Sequence, residues 1–437
     1  MKKLITRTAS AILAAAMCLC AVLFVAAEIE FETGLPDYSA NVARYAGESS
    51  VNAFTDVDVV MIDCSQLASL RLSSVDLLNT GKILYIENPT VSIAAAAKQL
   101  AIPQNGTDTY WSDILLAYTV QKVYDKYVFT PHYAVIGEED STLEPQSEPT
   151  LSEREKNWLE EPEDWESVDT NFNDAVTLAE YRKTNDFSFD TQTVINAAMQ
   201  QRAEYIAEGA SPLAGESESV EMSQGDDMVS ASGSFTYPSG NFYRAWTGVL
   251  YVYKGNPQKP RNYLGYVNCG LRAYVHGRSF VNNVNSHIYT MVAGVKAYPK
   301  DRTVAVRKYS AKLNCNVKGF SCLDASNLLS GVTQTQTVSV SYDSGNGGTT
   351  GAGFEKSWQY NPESQYIDET SSSPRIIKWQ ARPASVRRGK AFGVAPGIMV
   401  ASPVGYCKGT WEIVECNALF LGTTIHNNNM KIGGWFA

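Results

Sequence analysis

Histidine is scarce in this chain, with four residues among 437, and none of the four stands in a motif that carries chemistry. The sequence has no G-x-S-x-G nucleophile elbow, no H-E-x-x-H zinc site, no Walker loop and no C-x-x-C pattern. These absences exclude the motif-based classes of hydrolases, metalloproteases and nucleotide-binding enzymes. We therefore predict no catalytic residue, metal ligand or cofactor. Enzymatic activity stays an open question, and a non-enzymatic role is favoured.

Acidic residues are scarce in the second half of the chain. Residues 231–437 hold 22 Lys and Arg against 9 Asp and Glu, a net charge of +13. The whole chain has 36 basic and 46 acidic residues, so residues 1–230 carry −23. Carboxylate pairs for glycoside hydrolysis are poorly supplied in the basic half. Its excess of cations predicts an anionic partner: lipid headgroups, a cell-wall polymer or the chain's own acidic half, with no specific nucleic acid.

Long apolar runs are missing except at the N-terminus. Three cations at residues 2–7 precede an apolar stretch at 11–27 that ends in Val-Ala-Ala, the pattern of a cleavable signal peptide. The apolar stretch is shorter than the roughly 20 residues of a spanning helix. Residues 1–27 therefore predict export, and a secreted or extracellular location.

The length of 437 residues predicts two or three domains. Residues 28–137 alternate short apolar runs with helix-compatible stretches, which is typical of a small α/β domain with a parallel sheet. Asp63 ends the first apolar run, where α/β proteins bind ligands, although an Asp in that place is also a common helix cap. The predicted strands are Val57–Asp63, Lys82–Glu87 and Val128–Ile136, and the predicted helices are Ser92–Leu100 and Asp113 to about Lys126.

The remaining chain divides into an acidic and a basic part. Residues 138–230 predict an acidic linker, because 138–169 alone holds 13 acidic residues and three prolines. Helical spacing of apolar residues predicts one helix in it, at Thr191–Glu208. From residue 231 onward, short alternating runs with turn signals predict an antiparallel β-sandwich. The predicted fold class is thus multidomain α+β.

The stretch Thr333–Tyr360 contains two alternating runs separated by the glycine-rich loop DSGNGGTTG. A period of two predicts a β-hairpin with one apolar face and one face of Ser, Thr, Gln and Glu. We consider the apolar face a candidate membrane or surface contact. Its residues are Val338, Val340, Tyr342, Phe354, Trp358 and Tyr360.

Residues 332–382 resemble the stem region of the leukocidin and α-hemolysin type of β-barrel pore-forming toxins. The shared order is a Ser/Thr/Gln-rich strand, a Gly/Ser loop, an aromatic strand and a Lys-Trp strand that ends at Trp379. The resemblance implies that hairpin 333–360 joins the hairpins of other copies in a membrane barrel, with Trp379 as a further interfacial contact. Lys356 departs from the pattern, because a lipid-facing lysine costs about 2–4 kcal/mol near the bilayer midplane.

Six of the eight cysteines follow the predicted signal peptide. An even number in an exported chain allows disulfides. Cys315 with Cys322, and Cys407 with Cys416, are close enough in sequence to join neighbouring strands. The alternative is buried free thiols, and it is strongest for Cys64 at the end of a predicted strand.

These observations leave three functions open. The first is an exported, non-enzymatic protein that binds an anionic surface through its basic β-sandwich. The second is a leukocidin-like pore-former that uses hairpin 333–360. The third is a hydrolase whose site is assembled from residues far apart in sequence.

Overall fold

The computed structural model describes the chain in segments. The described ranges are 39–103, 114–140, 176–184, 187, 189–207, 209, 212–215, 235–236, 242–254, 262–281, 284–301, 304, 306–314, 321–325, 334–340, 354–360, 366–372, 376–383, 389, 391–394, 397–402, 419–420 and 424–426. The predicted signal peptide and most of the predicted acidic linker lie outside these residues. The described part is mostly β, with few helices.

Three parallel strands begin the fold: β1 (Val42–Arg44), β2 (Val59–Asp63) and β3 (Ile83–Glu87). A 3-10 helix and helix α1 (Ser74–Asn79) follow β2, and helix α2 (Ile93–Gln99) follows β3. The first four residues of β2 and of β3 are all buried, as expected of strands covered on both faces. Strands β2 and β3 and the helix near Ser92–Leu100 agree with the sequence prediction, which did not include β1.

The predicted helix from Asp113 to about Lys126 is wrong. This segment forms strand β4 (Ile114–Val123), which turns directly into the antiparallel strand β5 (Lys126–Asp140). Residues Ile114 to Gln121 are buried without interruption, so β4 is covered on both faces and its apolar residues need not alternate. Such a run does not distinguish a buried strand from a helix by period alone. Because β4 is antiparallel to β3, the sheet is mixed and not all-parallel as predicted.

The same sheet continues into the basic half of the chain. Strand β5 pairs in parallel with β8 (Phe242–Lys254), which is followed in the sheet by β9 (Tyr263–Val281) and β10 (Val284–Pro299). Beyond them lie β18 (Gly397–Ser402) and β12 (Ser321–Ala325). The sequence analysis predicts two domains here, joined by a linker at 138–230, and those bounds stay a prediction. The described backbone joins both parts through hydrogen-bonded strands.

Both faces of the central sheet are covered. Helices α1 and α2 contribute Leu77, Leu78 and Ile93 to the core on one face. On the other face lies α4 (Thr191–Ala207), which buries Val194, Ile195 and other apolar residues against the sheet. Helix α3 (Leu178–Thr184) precedes it, after the short strand β6 (Val176–Thr177). The predicted helix at Thr191–Glu208 is therefore present, and it is packed into the core.

The remaining described strands form two smaller sheets and extensions of the large one. The four-stranded sheet has the order β15 (Tyr366–Ser372), β16 (Ile376–Pro383), β11 (Val306–Asn314), β19 (Leu419–Phe420). The three-stranded sheet has the order β13 (Gln334–Val340), β14 (Phe354–Tyr360), β7 (Phe235–Thr236). Strand β17 (Phe392–Val394) pairs with β10, and β20 (Thr424–His426) pairs with β5.

A close backbone approach requires a glycine at position 265. Gly265 has φ +145°, and it lies where the β8–β9 register shifts. A Cβ atom there would be 2.1 Å from the carbonyl oxygen of Tyr298 in the neighbouring strand β10. This contact is with backbone, so a larger residue would force β9 and β10 apart.

We expect Gly265→Ala to lower the free energy of unfolding by roughly 2–5 kcal/mol. This combines about 1–2 kcal/mol for a residue with a Cβ at positive φ and about 1–3 kcal/mol for overpacking. Gly47→Ala is the matched control, because Gly47 has φ +107° and a Cβ atom added there would meet nothing within 4 Å. Urea unfolding of the two variants measures the difference. Equal losses would show that the close approach to Tyr298 costs nothing.

Candidate functional site

The predicted hairpin is present as strands β13 and β14, which pair antiparallel. Val338 lies opposite Lys356, and Val340 lies opposite Phe354. Since opposed residues share a face, the register places the predicted contacts on one face together with Lys356. Trp358 and Tyr360 follow on the same face, opposite Gln336 and Gln334. The contact role of these residues stays a prediction.

Within the described ranges, the hairpin is not paired with the large sheet. Beyond the β13–β14 pairing, β14 is joined only to β7 among the described strands, through the pairs Gln359–Thr236 and Tyr360–Phe235. Strand β13 lies near β12 and β18 without pairing with either of them. Trp379 lies elsewhere, in β16, opposite Ala311 and Thr370. The structure therefore does not bring Trp379 into the sheet of the hairpin. Tyr342 lies outside the described residues.

Most disulfide candidates also lie outside the described residues, namely Cys315, Cys407 and Cys416. The backbone of Cys322 is described, in β12 opposite Val400. Both predicted pairings stay predictions. Cys64 is buried and not in a disulfide, as the alternative expected. Its sulfur accepts hydrogen bonds from the backbone N–H and the hydroxyl of Thr90, at 3.4 and 3.6 Å.

Polar side chains gather at the carboxyl ends of the parallel strands. Asp63 caps the 3-10 helix after β2, accepting bonds from the Ser65 amide at 2.9 Å and the Ser65 hydroxyl at 2.5 Å. Its second oxygen accepts a bond from the Asn88 side chain at 3.0 Å. These bonds, that of the Ser65 hydroxyl first, lower the pKa of Asp63 below its ordinary value. Asp63 thus acts as a helix cap, and its bonds favour the carboxylate form.

An ion pair closes this edge of the sheet. The Arg44 guanidinium at the end of β1 donates two hydrogen bonds to the Glu87 carboxylate at the end of β3. The fork-to-fork geometry occupies both carboxylate oxygens. Because Asp63 and Glu87 are both engaged by neighbouring side chains, this edge presents a satisfied polar surface. No group of three or more metal-ligating side chains occurs among the described residues.

A buried histidine lies at the centre of the large sheet. His132 in β5 contacts the Thr119 hydroxyl through Nε2 at 2.8 Å and the Tyr251 hydroxyl through Nδ1 at 3.0 Å. Both ring nitrogens of a neutral imidazole find partners in this way, since each hydroxyl can donate or accept. Burial lowers the pKa of His132 to about 3 and raises the pKa of Tyr251. His132 is fully buried, so the hydrogen-bonded group of His132, Thr119 and Tyr251 is part of the core.

The C-terminal half of α4 contacts basic residues of β9 and β10. Glu204 accepts a hydrogen bond from the Tyr298 hydroxyl at 3.1 Å, and its carboxylate lies 4.0 Å from the Lys296 ammonium. The Arg272 guanidinium lies over the ring of Tyr205, 5.3 Å from its centre. Sequence reasoning missed these contacts because their partners are about 70–90 residues apart, beyond any local pattern. The opposite charge of the two halves was the available signal.

No protein-family model matches the chain, and no curated protein matches it either. Among the helices that the structure describes, none is both long and apolar enough to cross a membrane. The function must therefore be argued from the residues themselves.

We expect the free energy of unfolding to fall as the pH falls from 6.5 toward 3. The folded pKa of His132 is about 3 and the ordinary value is 6.5, so over this range the unfolded chain binds the extra proton. The stabilisation is complete above pH 6.5 and is lost below it, at up to about 1.4 kcal/mol per pH unit.

Urea unfolding of the wild type and of His132→Asn at several pH values tests this. The variant loses stability at neutral pH, but the difference between the two proteins should shrink as the pH falls. The carboxylates titrate in both proteins, so their contribution to the pH dependence cancels in the difference between the two stabilities. A difference that is constant with pH would contradict the assignment.

Proposed function

We propose that this chain is an exported, non-enzymatic protein that binds an anionic surface through its basic C-terminal half. The observation that carries the proposal is the division of charge, +13 in residues 231–437 against −23 in residues 1–230. The positive potential of the basic half attracts lipid headgroups or an anionic wall polymer, and it repels cationic partners. In this proposal residues 231–437 form a β-sandwich that carries the positive charge. The small α/β part belongs to the acidic half of the chain.

The described polar groups support binding over catalysis. Asp63 is engaged as a helix cap, and Glu87 is paired with Arg44. His132 is closed off from solvent and bonded on both nitrogens. A reacting centre needs a titratable group that reaches its substrate. Asp63 and Glu87 are bonded to neighbouring side chains, and His132 is buried. The hydrolase hypothesis therefore gains no support from the described residues.

We expect the exported protein to sediment with vesicles that contain phosphatidylserine, and to be released by salt. Raising the salt from about 0.05 M to about 1 M shortens the Debye length to about 3 Å, which removes most of the attraction between exposed charges. Purified cell walls in parallel distinguish a polymer from a lipid target. Absence of binding to both surfaces at low salt would refute the proposal.

A pair of charge-reversal variants locates the binding half. Arg387 and Arg388 belong to the densest basic run of the sequence. Each basic residue near an anionic membrane is worth about 1 kcal/mol, so Arg387→Glu with Arg388→Glu should weaken binding about 30-fold or more. Arg71→Glu with Lys98→Glu makes the same change of net charge at exposed positions of the acidic half. We expect this control to bind nearly as the wild type does.

One observation favours a second candidate, the pore-former. Among the described strands, β13 and β14 form a small sheet with β7, and two residue pairs join β14 to β7. Among the described strands, few backbone hydrogen bonds would have to break for the hairpin to leave as a unit. Closure with hairpins of other copies would then satisfy both strand edges in lipid. In that event the face with Val338, Val340, Phe354 and Trp358 meets lipid.

Two disulfides test whether the hairpin moves. Thr236→Cys with Gln359→Cys links β7 to β14 at a directly opposed pair, within the Cα separation that a disulfide spans. We expect this variant to stop dye leakage from vesicles until the disulfide is reduced. Thr337→Cys with Ser357→Cys links the two hairpin strands to each other, and this control should still cause leakage. No leakage by the wild-type protein from several lipid compositions would end this candidate.

A further inference from the structure

A lysine and an asparagine lie directly opposite each other in the long strand pair of β9 and β10. Lys296 of β10 is the register partner of Asn268 of β9. Opposed residues of an antiparallel pair share a face, and their Cβ atoms are about 4.5–5.5 Å apart. The side-chain amide of Asn268 is therefore within reach of the long side chain of Lys296.

A carboxylate from helix α4 lies beside this lysine. The Glu204 carboxylate is 4.0 Å from the Lys296 ammonium, and it accepts a hydrogen bond from the Tyr298 hydroxyl at 3.1 Å. Tyr298 follows Lys296 by two residues in β10, so both lie on the same face of the sheet. Glu204 is therefore held on the face that carries Lys296 and Asn268, and an amine lies between a carboxylate and a primary amide.

Apolar and aromatic residues surround the pair of Lys296 and Asn268. Val249 of β8 lies opposite Asn268 on its other side and is fully buried. The buried rings of Tyr266 and Tyr298 stack next to the pair, with ring centres 4.7 Å apart. The side chain of Lys296 is itself only 11% exposed, although lysine is mostly exposed in folded proteins. Water, which would compete with the lysine for the amide, has little access to this position.

The side-chain amide of Asn268 is buried without a hydrogen bond. Neither Nδ2 nor Oδ1 has a partner in the part of the chain that the structure describes. Buried polar atoms are almost always hydrogen-bonded in folded proteins, and each exception calls for an explanation. A reaction that takes Nδ2 away from Asn268 would remove one of these two atoms from the core.

We propose that the side chains of Lys296 and Asn268 become joined by an amide bond, and that Glu204 promotes this reaction. Glu204 first takes a proton from the Lys296 ammonium, because only the neutral amine is a nucleophile. The ammonium lies over the Tyr298 ring, 5.1 Å from its centre. The side chain of Lys296 therefore turns across the strand pair toward Asn268 before it reacts.

The reaction needs no oxidant and no further reactant. Lys296 Nζ attacks Cγ of Asn268, and the Cγ–Nδ2 bond breaks as the Cγ–Nζ bond forms. Nζ gives up two protons in all, and the Glu204 carboxylate takes each of them in turn and passes it to Nδ2. The leaving Nδ2 departs as an ammonium ion, which carries away the positive charge of the lysine. Glu204 is left as the carboxylate that it was at the start.

The new bond would tie the neighbouring strands β9 and β10 together at the centre of the large sheet. Like a disulfide, it would close a loop in the unfolded chain and so restrict the unfolded state. Unlike a disulfide, it would not be opened by a thiol.

Mass spectrometry of tryptic peptides from the reduced, full-length exported protein tests the bond. Trypsin cuts after Lys and Arg, so an unbonded chain releases Asn268 in peptide 262–272 and Lys296 at the end of peptide 279–296. A bonded Lys296 is not cut. We therefore expect one branched species that joins 262–272 to 279–300 and is lighter than their sum by one ammonia. Recovery of the wild-type peptides only in separate, unmodified form would overturn the proposal.

Variants separate the chemistry from the packing of α4. We expect no branched species from Lys296→Arg, and bond formation slower by about 100-fold or more in Glu204→Gln, which cannot take up the proton. Asp58→Asn is the matched control, because it removes the other ion pair of α4, the one with Arg202, and leaves Glu204 in place. We expect this variant to form the bond as the wild type does.

Two results would overturn the role of Glu204. One is a rate in Glu204→Gln equal to that of the wild type. The other is an equal loss in Asp58→Asn and Glu204→Gln, which would mean that the packing of the helix controls the reaction. The wild-type digest decides whether the bond exists, even if a variant fails to fold.

Discussion

The parallel pairing of β5 with β8 is the contact on which the described structure depends. It joins strands that are more than 100 residues apart in sequence, from His132–Val249 to Gly137–Lys254. Closing a loop of this length lowers the entropy of the chain, and only the contacts formed afterwards offset that loss. Those contacts are numerous, because the pairing brings β4, β5, β8 and β9 side by side under α4. The acidic and basic halves are thereby parts of one hydrogen-bonded sheet.

A sheet that is buried on both faces imposes a second constraint, because every polar side chain on it needs a partner. Thr130 meets this demand with Thr247 of the neighbouring strand, and His132 meets it with Thr119 and Tyr251. Each bond crosses from one strand to another, so the polar groups fix which strands lie together and in which register.

The sequence predicts those elements whose residues show a clear local pattern. Strands β2 and β3 are recognisable as short apolar runs, and α4 is recognisable from the helical spacing of Val194, Ile195 and Ala198. Strand β4 escapes prediction for a physical reason. A strand covered on both faces has no polar side to alternate with, and aliphatic residues are compatible with either structure.

The candidate sites required information that no local pattern contains. The hairpin alternation is visible in the sequence, and the register of β13 with β14 agrees with the predicted faces. The contacts of Glu204 with Lys296 and Tyr298 arise only because the sheet places β10 beside α4. Opposite net charges predict attraction between the halves, but not which residues meet. The Asp63 cap was one of two alternatives, and only its bonds to Ser65 decide between them.

The charged residues of α4 affect the orientation of the helix about its axis more than the stability of its packing on the sheet. Arg202 bonds to Asp58 just before β2, and Glu204 approaches Lys296 of β10 on the opposite side of the helix. These pairs are partly exposed, so each contributes at most about 1 kcal/mol, less than the burial of Val194, Ile195 and Tyr205. Turning the helix around its axis would bring Glu204 toward Asp58 and Arg202 toward Lys296, so that like charges oppose. Apolar burial therefore holds α4 on the sheet, while the two opposite charges determine which of its sides faces β2 and which faces β10.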